Sequence, residues 1–130
     1  MITRLDSPKM DGPGQLAVLV ADDDAALRLL CRVNLELDGY RVFEARNAAE
    51  VDDVLAREPV GVVLLDVHLG EDDGIEVATR LRTSRPDLPV VLFTGSVDRR
   101  DSWQEVADGF LAKPFRLEEL GETVRRLATR

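Results

Sequence analysis

The sequence predicts an α/β protein: a doubly wound parallel sheet of five strands with helices on both faces. Three observations lead there. From Leu16 onward, strand-like and helix-like segments alternate, the pattern of βαβ units. Three of the strand candidates are continuous apolar runs, which suits parallel strands covered on both sides. Finally, polar residues able to do chemistry stand at strand ends, where an open α/β sheet binds its ligands.

The strand candidates are Ala17–Ala21 (AVLVA), Arg41–Ala45 (RVFEA), 60–65 (VGVVLL), Val90–Thr94 (VVLFT) and Gly109–Ala112 (GFLA). Ala26, Leu30, Val33 and Leu37 fall at i, i+4, i+7 and i+11 and mark the first helix, with Asp24 as its starting residue. Val51, Val54 and Leu55 mark the second, begun by Asn47 with Glu50 three residues on. Ile75, Ala78 and Leu81 mark the third, which stops before Pro86. Leu117, Leu120, Val124 and Leu127 mark the last. Between Thr94 and Gly109, only Trp103, Val106 and Ala107 offer an apolar face. Ser102 and Glu105 could form a capping box, but it would start the helix late, so the fourth helix is expected to be short or poorly ordered. Right-handed crossovers leave few topologies. Five strands in this sequence order fit a flavodoxin-like arrangement. Its strand order, 2-1-3-4-5, is taken by analogy, because periodicity does not supply it.

The length, 130 residues, suits one domain. Residues 1–15 lack periodicity and contain Pro8, Gly12, Pro13 and Gly14; they read as a flexible leader ahead of a folded unit at 16–130. With 45% apolar and 32% charged residues, the composition is that of an ordinary soluble domain. The formal net charge of −8 disfavours direct contact with nucleic acid and suits a bound cation or a basic partner. A single cysteine, Cys31, forms no internal disulfide, and the opening residues MITRLD have no apolar run behind them; both point to the cytoplasm. No apolar stretch approaches the roughly 18 residues of a membrane span, so no membrane association is expected.

Five polar residues gather at strand ends. Asp22 and Asp23 follow the first strand, Asp66 the third, Thr94 ends the fourth, and Lys113 follows the fifth. Three close carboxylates do not all ionise cheaply, so at least one pKa rises unless a cation joins them. Hard oxygen ligands suit Mg2+, and no Cys/His cluster supports zinc. A divalent ion flanked by a lysine and a hydroxyl makes a cradle for a phosphoryl group, and a carboxylate can itself be the nucleophile, forming an acyl phosphate.

The stretches VLVADD, LLDVHLGEDDG, FTG and LAKPF, in this order and each at a strand end, carry a resemblance. Over 16–130 the chain resembles the receiver domain of two-component response regulators. The resemblance implies that Asp66 is the phosphoacceptor. It implies that Asp22 and Asp23 organise Mg2+ together with Asp66, with Asp23 the more direct ligand and His68 contributing its backbone carbonyl. Thr94 takes the place of the switch hydroxyl and Phe110 that of the aromatic switch. Lys113 contacts the phosphoryl group, and the bond to Pro114 is expected to be cis. The phosphate would come from a sensor histidine kinase or a histidine phosphotransfer protein, and a downstream protein would read the result.

Three features depart from the family pattern. His68 sits at a variable position near the path of the hydrolytic water. Gly70 replaces a common proline, which suggests a looser turn. The Thr94–Lys113 interval is a few residues short, which bears on the family's usual output surface (fourth helix, fifth strand and fifth helix). Two rivals follow. One is a receiver-like interaction module that never uses phosphate. The other is a phosphatase with an aspartyl-phosphate intermediate, which would carry a second Asp where His68 stands. The expected protein is thus a phosphoacceptor with its own autophosphorylation and autodephosphorylation, not a turnover enzyme.

Overall fold

The computed structural model describes residues 16–95 and 103–128. The expected leader at 1–15 lies outside the described residues, as does Ser102 of the suggested capping box. The central sheet contains β1 (Ala17–Ala21), β2 (Arg41–Ala45), β3 (Val62–Asp66), β6 (Val90–Thr94) and β7 (Gly109–Ala112). Two further strands, β4 (His68–Leu69) and β5 (Asp72–Asp73), form a separate antiparallel hairpin. The order in the sheet is β2-β1-β3-β6-β7, and every pairing is parallel. This is the 2-1-3-4-5 order expected, with the chain reversing direction between β1 and β3.

Alternation along each strand divides the core in two. Leu19, Ala21, Val63, Leu65 and Leu92 face α2 (Ala48–Arg57) and α3 (Gly74–Ser84). Val18, Val20, Leu64, Val91 and Phe93 face α1 (Ala25–Leu37) and α4 (Leu117–Ala128). Each buried Val, Leu or Phe side chain contributes about 1.5–3 kcal/mol. That is why β1, β3 and β6, buried at every position, read as unbroken apolar runs.

The helix starts follow their caps. The Asp24 side chain accepts from the amides of Ala26 and Leu27, and Asn47 accepts from the Glu50 amide at 2.9 Å. The Glu50 carboxylate reaches back to the Arg46 amide at 2.8 Å, one residue beyond a reciprocal capping box. Between β6 and β7 the described residues form only a 3-10 turn, Trp103–Glu105, in keeping with the short fourth helix expected.

Two expectations change. The stripe that marks α1 in the sequence is not its buried face. Ala26, Leu30, Val33 and Leu37 are exposed, while Cys31 and Leu35 are fully buried with Leu27 packed beside them. Both stripes have helical spacing, so periodicity does not rank them. Arg28 bonds the Asp22 carbonyl at 2.8 Å and the Glu44 carboxylate of β2 at 2.9 Å, which sets the helix's rotation. The turn after Asp66 is also not loose. Gly70, at φ +65°, occupies the left-handed conformation that glycine takes without strain and lets His68–Leu69 fold back on Asp72–Asp73.

Candidate functional site

The C-terminal ends of β1, β3, β6 and β7 meet at one edge of the sheet. Asp22, immediately after β1, is fully buried. Its amide donates to the Ala45 carbonyl at 3.0 Å. Its Oδ1 accepts from the Asp24 amide at 2.9 Å and its Oδ2 from Lys113 Nζ at 2.8 Å. Asp23 beside it is exposed. Asp66, the last residue of β3, is buried; its Oδ1 accepts from the His68 amide at 3.1 Å and its Oδ2 from Lys113 Nζ at 3.2 Å. Carboxylate oxygens of Asp22, Asp23 and Asp66 lie within 4.8 Å of one another. The sequence-predicted acids therefore converge across some forty positions of chain.

The other expected residues fall as follows. Thr94 is buried at the end of β6, one strand from Asp66, and its carbonyl accepts from the Lys113 amide at 2.7 Å. The Lys113–Pro114 peptide is cis. His68 is exposed and pairs with Asp73. Phe110 is partly buried against the core on the α2–α3 side.

Burial raises the Asp66 pKa above the usual carboxylate range, with help from the Asp22 charge; the His68 amide and Lys113 oppose the shift. Burial alone would discourage charge on Lys113, but its bonds to Asp22 and Asp66 outweigh that and raise its pKa. The ammonium is therefore firmly charged, and Asp66 is the carboxylate that ionises reluctantly. The ligand atoms are hard oxygens with an exposed member in Asp23, a donor set that fits Mg2+ with bound water.

Three supporting residues were not legible in sequence. Arg28 holds the acidic turn through the Asp22 carbonyl. Gly74 begins α3 so close to Asp66 that a β-carbon there would collide with the Asp66 carbonyl oxygen. Asp72 accepts from the Ala48 amide at 2.8 Å and so caps α2 alongside Asn47. The repeated acids of GEDDG gave no signal of this; only the hairpin turns Asp72 toward α2.

A carboxylate at the end of a central strand, held by one lysine and one backbone amide beside two more acids, defines the class as a receiver-type α/β domain. The chain belongs to the response regulator receiver domain family, which matches residues 18–125. It is 40% identical over 116 residues to the response regulator MprA of Mycobacterium sp. strain KMS, an alignment covering 87% of this chain and 50% of that protein. The chain thus spans about half the length of the curated relatives it matches. Among solved structures it resembles a CheY-like receiver domain protein from Methanospirillum hungatei, with TM-score 0.82, 25% identity and coverage of 88% of this chain and 94% of that one. It also resembles TrrA from Thermotoga maritima in complex with Mg2+ and BeF, with TM-score 0.80, 29% identity and coverage of 87% and 99%.

Proposed function

We propose that Asp66 accepts a phosphoryl group from a sensor histidine kinase or a histidine phosphotransfer protein, and that the modified domain then presents a changed surface to a downstream protein. The observation that carries this reading is the carboxylate trio, with oxygens within 4.8 Å, two of whose members, Asp22 and Asp66, share Lys113. The Mg2+ and BeF in the TrrA structure support the same chemistry here.

In this reading Asp22, Asp23, Asp66 and the His68 carbonyl hold Mg2+, which when bound neutralises charge on the phosphoryl oxygens. The Asp66 carboxylate attacks phosphorus. An O–P bond forms, the P–N bond to the donor's imidazole breaks, and the imidazole leaves with the electron pair and takes a proton. Lys113 stabilises the equatorial oxygens. Thr94 turns its hydroxyl to the phosphoryl group, and Phe110 follows, shifting an existing equilibrium between two surfaces.

The domain at 16–130 works in the cytoplasm and, at net charge −8, without direct nucleic-acid contact. No helix among the described residues is long and apolar enough to cross a membrane. It acts as a phosphoacceptor, not as a turnover enzyme on an external substrate.

Incubation with Mg2+ and acetyl phosphate, followed by intact-mass measurement, is expected to add one phosphoryl group that Asp66→Asn abolishes. A chain that takes up neither phosphate nor fluoroberyllate would instead be an interaction module.

A further inference from the structure

Asp23 is the exposed member of the carboxylate trio, and its backbone decides where its oxygens stand. A residue's backbone has two soft dihedrals, and here a bond restrains the peptide on each side. The Asp24 amide donates to Asp22 Oδ1 at 2.9 Å, which holds the peptide after Asp23. Arg28 Nη1 donates to the Asp22 carbonyl at 2.8 Å, which holds the peptide before it.

Arg28 is itself held. Its Nε donates to Glu44 Oε1 at 2.9 Å, and its side chain is only 12% exposed. The second Glu44 oxygen accepts from Arg32 Nη1 at 3.0 Å, one helical turn further along α1. Glu44 lies on β2 in register with Val20 of β1, two residues before Asp22. The guanidinium therefore joins a carboxylate of β2 to the peptide that carries the acidic turn, using a planar fork that a lysine does not reproduce.

We infer that Arg28, braced by Glu44, is a positioning residue for divalent-ion binding: it holds the Asp22–Asp23 peptide so that the Asp23 carboxylate meets the ion together with Asp22 and Asp66. The inference rests on the trio being the Mg2+ site. Mg2+ demands near-octahedral ligand geometry, so a ligand that drifts by a fraction of an ångström binds it less well. The sign of the effect separates position from charge. A nearby cation acting through charge alone would repel the ion, and its removal would tighten binding. Removing a brace loosens it.

Mg2+ titration calorimetry on the full chain, at an ionic strength that screens distant charges, tests this. Arg28→Met keeps the apolar stem and is expected to weaken Mg2+ binding by about tenfold, as is usual for residues that orient a metal ligand. Arg28→Lys should weaken it by less. Glu44→Ala should also weaken it by less than Arg28→Met, and the double variant should lose no more than Arg28→Met alone, because Glu44 acts through Arg28. Without metal, hydrogen exchange at the Asp24 amide should speed up in Arg28→Met. Labelling by acetyl phosphate at saturating Mg2+ should keep the parent rate. If Arg28→Met alters the circular dichroism spectrum, Glu44→Ala carries the same test. Unchanged or tighter Mg2+ binding overturns the proposal. So do additive losses in the double variant, or a labelling defect that saturating Mg2+ leaves in place. A parent chain that binds no Mg2+ fails the metal site itself, a result distinct from a parent that binds no better than its variants.

Discussion

Lys113 Nζ donates to Asp22 Oδ2 at 2.8 Å and to Asp66 Oδ2 at 3.2 Å. The partners are 91 and 47 positions away in the chain, so this one ammonium ties β7 to both β1 and β3. It also neutralises the same carboxylates that a divalent ion would engage. A divalent ion at this trio would therefore compete with Lys113 for Asp22.

Lys113→Ala should accordingly destabilise the metal-free protein by about 1–3 kcal/mol, because it leaves the buried Asp22 charge without its cation. Mg2+ should restore most of that loss and bind more tightly than to the parent chain. Urea unfolding with EDTA and with Mg2+ reads both effects. A variant as stable as the parent in EDTA would remove the competition argument.

Asp66 gives a pH dependence whose sign follows from its raised pKa. The folded state holds this proton more tightly than the unfolded chain does. The resulting stability is fully present below the ordinary value of 3.8 and is lost as pH rises through the folded-state pKa. Asn does not ionise, so Asp66→Asn should raise Tm by a few degrees at pH 7 without metal, and the gain should vanish in acid. A thermal melt series across pH decides it; a variant less stable at neutral pH contradicts the assignment.

Asp72→Ala should cost about 1 kcal/mol, the usual loss for a capping side chain, even though Asp72 lies in a different element from the helix it caps. Hydrogen exchange at the Ala48 amide should speed up, since that N–H loses its 2.8 Å acceptor. Unchanged exchange there would show that the bond does not hold α2.

Burial pushes the Cys31 thiol from its ordinary 9.0 up to about 12, and the Asp22 charge adds to the shift. The folded protein should resist thiol reagents at pH 8 until it is unfolded. Because the unfolded thiol ionises first, stability should also fall between about pH 9 and pH 12. Rapid labelling of the native chain at pH 8 would contradict this.

Much of the architecture was legible because it depends on neighbours in sequence. Four of the five sheet strands have the ends expected, among them β1 and β6, whose burial at every position needs consecutive apolar residues; β3 alone starts later, at Val62, and includes Asp66. The Asp24 and Asn47 caps are equally local. The site residues were visible for a related reason: Asp22, Asp66, Thr94 and Lys113 each break an apolar run at the point where a strand leaves the core.

The sequence by itself determined the five strands of the central sheet, the starts of α1 and α2, and which polar residues stand at the C-terminal edge of that sheet. Only the tertiary structure decided how those pieces face one another. Leu27–Cys31–Leu35 and Ala26–Leu30–Val33–Leu37 are both apolar and both helical in spacing, so periodicity does not rank them. Arg28, fixed by Asp22 and Glu44, turns α1 so that the first set meets the sheet and the second meets solvent. Asp72 likewise became a cap only when Gly70 folded the turn back toward α2. Hydrophobic burial is non-directional, so composition and spacing indicate that a helix buries a face. In α1 the buried face is the one held by directional bonds from Arg28 to Asp22, six positions away, and to Glu44, sixteen positions away.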